Sequence, residues 1–220
     1  MAQTMSPFAR RVGARTTSDT LLLGQVMFLV AVALAFTTLG TYLGRDLSIG
    51  TARICSFVGF GMLIVSSFGG RVFRVGPFAM GWLYALALMI GIGLGPIIQY
   101  FAHVNPDSLY RAAGGTALTV VGMGALGFTM SKDLLPWLRP LSFALFGVVI
   151  ASVIMLVLGD SSNHQIIDLA VYGISAVLLM VDFNVLRRYG DEESAIPLAT
   201  GIFVSIINIF VSLLNLFSSD

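Results

Sequence analysis

The sequence predicts an all-α polytopic membrane protein with seven transmembrane helices, and three observations carry that prediction. Hydrophobic residues make up 57% of the 220-residue chain and charged residues only 10%, whereas soluble domains have about 25% charged residues. The mean hydropathy is +0.93. Seven apolar runs are long enough to cross about 30 Å of hydrocarbon at about 1.5 Å per helical residue. The chain is therefore expected to be embedded in a lipid bilayer.

The predicted spans are joined by connectors too short to form a soluble domain. Consecutive helices should therefore be antiparallel neighbours in one bundle. Residues 1–20 are expected to form a polar N-terminal tail, and residues 21–217 a single transmembrane domain. The first run is longer than the apolar core of a signal peptide, which is about 7–15 residues, so it is expected to stay on the chain as a helix. The predicted spans are 21–43, 49–68, 79–101, 110–130, 141–159, 166–186 and 195–217.

The distribution of Lys and Arg predicts the orientation in the membrane. One side of the predicted bundle carries nine of these residues and the other side carries Arg45, Arg53 and Arg111. Basic connectors stay in the cytoplasm, so the N-terminus is expected in the cytoplasm and the C-terminus outside. The expected location is a bacterial inner membrane. The nine residues are Arg10, Arg11, Arg15, Arg71, Arg74, Lys132, Arg139, Arg187 and Arg188.

The last two spans each carry one narrow stripe of small and polar residues on an otherwise apolar helix. The members of each stripe recur at steps of three, four or seven residues, which places them on one helix face. Such a face is expected to pack against other helices rather than lipid. The stripe of span six is Asp168, Tyr172, Ser175 and Asp182, and that of span seven is Gly201, Ser205, Asn208, Ser212 and Asn215.

Asp182 is the principal candidate for a functional residue, because a carboxylate inside a membrane span is costly. In one interpretation it is an interfacial carboxylate held by Arg71, Arg74 or Arg139. In the other it is a protonatable gate, since burial favours the neutral carboxyl and a nearby cation favours the charged one. Asp168, near the outer end of the same stripe, is either a solvated acid at a helix start or a residue that attracts cations to an outer mouth.

Ser205 and Asn208 are candidate hydrogen-bond partners of Asp182, or simply small polar residues between packed helices. An enzyme is not expected. No histidine lies inside a predicted span to act as a base for Ser205, and His103 and His164, expected in connectors, lack metal-ligand spacing. No cofactor or metal is predicted.

Several segments resemble the Bax inhibitor-1 (transmembrane Bax-inhibitor-motif) family, most closely its bacterial YccA-like branch. The resemblance covers nearly the whole chain except the tail, and it implies six helices packed around a central seventh. The segments that carry it are Val181-Asp182-Phe183-Asn184, residues 205–214, Gly95-Pro96-Ile97-Ile98, Gly114-Gly115-Thr116-Ala117 and Ser131-Lys132-Asp133-Leu134.

The resemblance also implies two possible functions. In the calcium-leak branch of the family, two aspartates on the last two helices share a proton and gate a cation path. Asp182 matches the first of these positions and Ser205 the second, so any gate here depends on Asp182 alone or on Asp182 with an arginine, for which Arg71 is the best candidate. The YccA-like branch modulates a membrane-anchored ATP-dependent protease through its N-terminal tail. The expected function is thus a passive Ca²⁺ or H⁺ leak, with protease modulation as the alternative.

Overall fold

The computed structural model describes residues 7–158, 164–191 and 193–218, and over these ranges the chain is helical apart from short connectors. Seven of the helices described are long and apolar enough to cross a membrane, which confirms the predicted fold class. A short 3₁₀ helix, Gly70–Phe73, lies between the second and third. The α-helices are α1 Pro7–Gly44, α2 Ile49–Phe68, α3 Pro77–Val104, α4 Pro106–Thr129, α5 Leu135–Leu158, α6 His164–Tyr189 and α7 Ala195–Ser218.

The helix α1 begins well before the predicted span. The described part of this helix extends from Pro7 to Gly44. The apolar, membrane-length part is Leu21–Gly44. Most of the predicted tail therefore continues the helix, and its first six residues lie outside the part that the structure describes.

The helix α5 begins six residues before the predicted position of 141. The Asp133 Oδ1 atom accepts a hydrogen bond from the Leu135 backbone N–H at 3.0 Å, and Pro136 occupies the first turn, where its missing N–H costs nothing. The predicted end at 159 falls outside the described ranges. His103 and His164, expected in connectors, lie instead in the last turn of α3 and at the start of α6.

The helix α7 is the most enclosed element, with twelve buried residues. It packs against α6, α4, α1 and, over a shorter stretch, α3. The other two helices are peripheral, because α2 packs along α3 and α5 packs along α6. Only Ala52 and Gly59 of α2 are buried. The bundle is thus built around α7, as the family resemblance implied, but α2 and α5 do not pack along it.

The helices α1 and α3 are in close and extended contact, and glycines let the two backbones approach each other. A Cβ atom added at Gly91 would collide with the Thr37 backbone, and one at Gly95 would collide with Gly44. The Thr37 hydroxyl donates to the backbone carbonyl of Ala87 across the contact at 3.2 Å. The two glycines are four residues apart and therefore lie on the face of α3 that packs against α1.

Three connectors meet at one end of the bundle, which we call the basic end: residues 69–76, 130–134 and 190–194. The Arg71 Nη2 atom pairs with Glu193 Oε1 at 2.6 Å and so joins the first of these connectors to the third. The middle connector lies against the C-terminal turns of α6, as described below. The antiparallel order expected from the short connectors is therefore observed.

The α1–α3 contact predicts opposite effects for the same substitution at two glycines. Gly91→Ala should destabilise the protein by about 1–3 kcal/mol, because the added methyl group meets backbone that cannot move away. Gly122→Ala is the control, since nothing lies within 4 Å of the new atom, and there alanine should stabilise the helix by about 0.5–1 kcal/mol. Thermal unfolding in detergent measures both, and equal effects would contradict this account of the contact.

Candidate functional site: the polar seam of the last hairpin

The polar stripes of α6 and α7 face each other in one antiparallel register. A Cβ atom built on Gly201 would lie 3.1 Å from Asp182 Oδ2. At the far end of the hairpin, Asn215 Nδ2 donates to Asp168 Oδ1 at 3.1 Å. Both pairs fit the same register, because each helix advances by fourteen residues between them. We call this contact line between the two stripes the polar seam.

Asp182 is a buried carboxyl group without a partner. Its exposed fraction is 5%, and within the described ranges it makes no hydrogen bond or ion pair. The small Gly201 makes room for it on α7. A charge removed from water without a compensating partner costs several kcal/mol. The packed seam is therefore most stable when this carboxyl group is neutral.

Ser205 and Asn208 follow Gly201 along the seam but do not bond Asp182 in this structure. Ser205 is buried and lies one turn from Gly201, which is about 6 Å along the helix axis. Asn208 is about 10 Å from Gly201 by the same measure. The hydrogen bonds that the sequence suggested between these residues and Asp182 are absent among the residues described.

The expected ion pair between Arg71 and Asp182 is also absent. Arg71 lies in the 3₁₀ helix at the surface, its side chain is 77% exposed, and its partner is Glu193. Asp182 lies inside the α6–α7 contact, about two turns before the end of α6 at Tyr189. The pairing was wrong because Arg71 has an acidic partner in water that costs no desolvation.

A second unpaired polar group lies at the middle of the seam. Ser175 is fully buried and its Oγ atom has no hydrogen-bond partner. The register that places Asp182 opposite Gly201 puts Ser175 level with Asn208, which also makes no hydrogen bond within the described ranges. The seam therefore has a polar layer near the middle of the bundle in addition to Asp182.

Two clefts flank α7 on the side of α2 and α5, and each has a volume of about 180 Å³. Asn208 lines both of them. Between them α2 and α5 meet through the Phe60 and Phe146 rings, which stack with centroids 5.7 Å apart. The α2–α3 cleft is lined by Ser56, Phe60, Leu63, Ile90, Leu94, Val204, Ile207 and Asn208. The Asp168 cleft is lined by Val149, Ser152, Ile167, Asp168, Val171, Asn208, Val211, Ser212 and Asn215.

The Asp168 cleft contains five polar side chains that bear oxygen: Ser152, Asp168, Asn208, Ser212 and Asn215. Oxygen ligands of this kind suit hard cations such as Ca²⁺. Within the described ranges no group of three or more His, Cys, Asp or Glu side chains comes together. The cleft therefore has one carboxylate and four neutral oxygen-bearing side chains in its lining.

The side chain of Asn184 makes several structural hydrogen bonds that were not predicted from the sequence. Its side chain is fully buried, and its Oδ1 atom accepts a hydrogen bond from the Leu134 N–H at 3.0 Å. Its Nδ2 atom lies within donating distance of three carbonyl oxygens at 3.1–3.2 Å. These carbonyls belong to the end of α4 and the connector after it: Gly127, Met130 and Lys132.

The turn after Asn184 binds the same connector, which we call the α4–α5 connector (residues 130–134). Arg187 Nη2 donates to the Met130 carbonyl at 2.6 Å, and Arg188 donates to the Ser131 carbonyl. The Tyr189 hydroxyl donates to Asp133 Oδ2 at 2.5 Å. This bond, with the Leu135 N–H, holds the pKa of Asp133 below its ordinary value. The connector is therefore tied to α6 immediately beyond Asp182.

The sequence did contain an indication that Asn184 makes internal hydrogen bonds. Asn184 is an amide inside an apolar span, and such a group needs internal partners because lipid offers none. The partners themselves are backbone carbonyls, which carry no residue-type signature.

These features define a multi-pass membrane protein with a buried polar seam between its last two helices. Residues 20–220 match the family model described as inhibitor of apoptosis-promoting Bax1, and the chain belongs to that family. It is also similar to an uncharacterized membrane protein of Vibrio cholerae serotype O1. The two are 26% identical over 208 residues, which cover 89% of this chain and 87% of the relative.

The Asn184 contacts predict a large difference between two asparagines of the hairpin. Asn184→Leu should destabilise the protein by about 2–4 kcal/mol, because the Leu134 N–H and several carbonyls lose their partner. Asn208→Leu is the matched control and should change the unfolding free energy by less than about 1 kcal/mol, since Asn208 makes no hydrogen bond among the described residues. Unfolding in mixed micelles measures both, and a neutral Asn184→Leu would contradict the proposed role of this amide.

Proposed function

We propose that the protein is a passive cation path, for Ca²⁺ or H⁺, whose conduction depends on the protonation state of Asp182. The observation that carries the proposal is the buried, unpaired carboxyl group at the α6–α7 contact. An integral membrane protein with a purely structural role has little use for such a group, because it weakens the helix contact it occupies. Transport, and not catalysis, is the proposed activity.

The proposed path runs along the polar seam. Cations enter the Asp168 cleft, where Asp168 supplies the negative charge, and reach the layer of Asn208 and Ser175. Asp182, on α6, lies about 10 Å farther along the seam, at the level of Gly201, and lines neither cleft. Between these two levels the buried residues Ile202, Phe203 and Ile206 pack the interior of the bundle. The structure thus corresponds to a closed state in this proposal.

The gate opens in this proposal when Asp182 loses its proton. The charged carboxylate needs water or a cation beside it, so ionisation favours a looser α6–α7 contact near Gly201 over the packed one. Flux should therefore rise with pH. The orientation proposed from the basic residues, with the basic end in the cytoplasm, places Asp182 towards the cytoplasmic side and the Asp168 cleft towards the outside.

Ca²⁺ flux into liposomes containing the purified protein tests this function. Wild-type flux should be on the order of tenfold higher at about pH 8 than at about pH 6, as a shift between two states allows. Asp182→Asn should stay at the low level at both values, since an amide cannot ionise. Asp168→Asn should lower flux at both values and keep the pH dependence.

The control is Asp107→Asn, because Asp107 is an exposed acid in the first turn of α4 and its loss should leave flux unchanged. Absence of flux above that of empty liposomes at either pH would contradict a cation path. Flux that rises with pH equally in wild type and Asp182→Asn would assign the pH dependence to another group.

A second candidate function, modulation of a membrane-anchored protease, is favoured by the extension of α1. The helix continues from the start of its membrane part at Leu21 back to Pro7, which is about 21 Å beyond the span. This helical extension is a surface to which a partner protein could bind. Deletion of residues 2–20 should abolish an effect on such a protease in cells and leave liposome flux intact, and Asp182→Asn should do the reverse.

A further inference from the structure

The α2–α3 cleft has features that the proposed cation path does not use. Six of its eight lining residues are apolar, and they come from α2, α3 and α7: Phe60, Leu63, Ile90, Leu94, Val204 and Ile207. Its volume of about 180 Å³ exceeds the roughly 150 Å³ that holds a benzene ring in a protein interior. A segment of about six methylene carbons would fit the same space.

The position of α2 explains why this cleft needs an occupant. The helix packs along α3 but not along α7, and most of its described surface faces outward, since only Ala52 and Gly59 are buried. In a bilayer the cleft between α2 and α7 is next to lipid, and an unfilled apolar space forfeits the contacts of the side chains around it.

Arg53 lies on α2 three residues before Ser56, the first lining residue that this helix contributes to the cleft. Arg53, Ser56, Phe60 and Leu63 are three, four and three residues apart, so they follow one face of α2. Arg53 lies about 6 Å inside the start of α2, it is exposed, and it forms no ion pair among the residues described. Its neighbour in the preceding connector, Arg45, is paired with Asp46 at 3.1 Å.

We propose that the α2–α3 cleft binds one phospholipid, with its phosphate on Arg53 and one acyl chain running past Leu94 and along Phe60 and Ile207 towards Leu63. A guanidinium group near a helix end reaches the headgroup region and binds phosphate with charge-assisted hydrogen bonds. The bound chain fills the gap between α2 and α7. This site is independent of the proposed function, because neither Asp182 nor Asp168 takes part in it.

Native mass spectrometry of the full chain in a mild detergent, with added phosphatidylglycerol, tests the site. The wild type should retain one lipid per chain. Arg53→Gln should weaken binding at least about tenfold, as expected for the loss of a charge-assisted bond to phosphate, and Arg53→Lys should restore part of it. Leu94→Trp should block binding by filling the cleft. Because Arg53 is exposed, its substitution does not put folding at risk.

Arg111→Gln is the matched control, because Arg111 is an exposed arginine near the same end of the bundle on α4, a helix that contributes no lining residue to the α2–α3 cleft. It should bind lipid like the wild type. Equal binding by Arg53→Gln and Arg111→Gln would overturn the proposal. So would competition by glycerol phosphate as strong as that by the lipid, which would show a headgroup site without a chain, or a lipid-free dimer, which would show that a second copy covers the cleft.

Discussion

The main constraint on this protein is that lipid supplies no hydrogen bonds, so each polar group inside the bundle depends on the protein for a partner. Half of the buried polar side chains in the described ranges have one: Thr37, Ser108, Thr116 and Asn184. The Thr116 hydroxyl donates to the Ala112 carbonyl at 2.7 Å, and the Ser108 hydroxyl donates to the Phe217 carbonyl at 2.9 Å, which ties the end of α7 to α4. The other four, Ser175, Asp182, Ser205 and Ser212, all lie on the polar seam and make no hydrogen bond among the described residues. Outside the seam, the Arg187 Nε atom is also buried without a partner in the described ranges. Buried polar side chains without a hydrogen-bond partner are thus concentrated where α6 meets α7.

Polar groups that have hydrogen-bond partners and polar groups that lack them lie close together on α6. Asn184, with partners for both its oxygen and its nitrogen, follows Asp182 after a single residue. The two side chains differ in direction because consecutive helical positions are separated by about 100°, so that two residues apart they face different neighbours. Asn184 faces the α4–α5 connector and Asp182 faces α7. The same turn of α6 therefore contains Asn184, which is bound to the α4–α5 connector, and Asp182, whose carboxyl group has no partner among the described residues. A change in the protonation state of Asp182 thus acts next to a firmly attached part of the helix.

The sequence predicted the fold and the seam because both depend on periodicity. Apolar runs of span length mark the helices, and the steps of three, four and seven residues mark the faces of α6 and α7 that meet. Helix ends were less accurate where polar residues continue a helix, as in α1, or where proline occupies a first turn, as in α5. The partner of Arg71 and the contacts of Asn184 depend on distances between connectors. The sequence contains no direct record of those distances.

The clefts could not be predicted for a related reason. A cleft is a place where helices fail to meet, and residue types such as Phe60 or Leu94 look the same on a packed face as on an open one. The unequal packing of α2 and α5 is visible only once the neighbours of α7 are known. The family resemblance implied a ring of six helices, and the structure shows four of them packed against α7 and two held at a distance.

The glycine contact between α1 and α3 has a mechanical consequence. The backbones of α1 and α3 are so close at Gly91 and Gly95 that even one added methyl group would collide, so this helix pair is expected to be the most rigid part of the bundle. The helix α5 is different, because within the described ranges it packs along α6 and touches α2 through the Phe146 and Phe60 rings, and its first residues are anchored by the α4–α5 connector. The fixed end of α5 is therefore the one at the basic end of the bundle. Motion in this fold should therefore have its largest amplitude at the far end of α5, beside the Asp168 cleft.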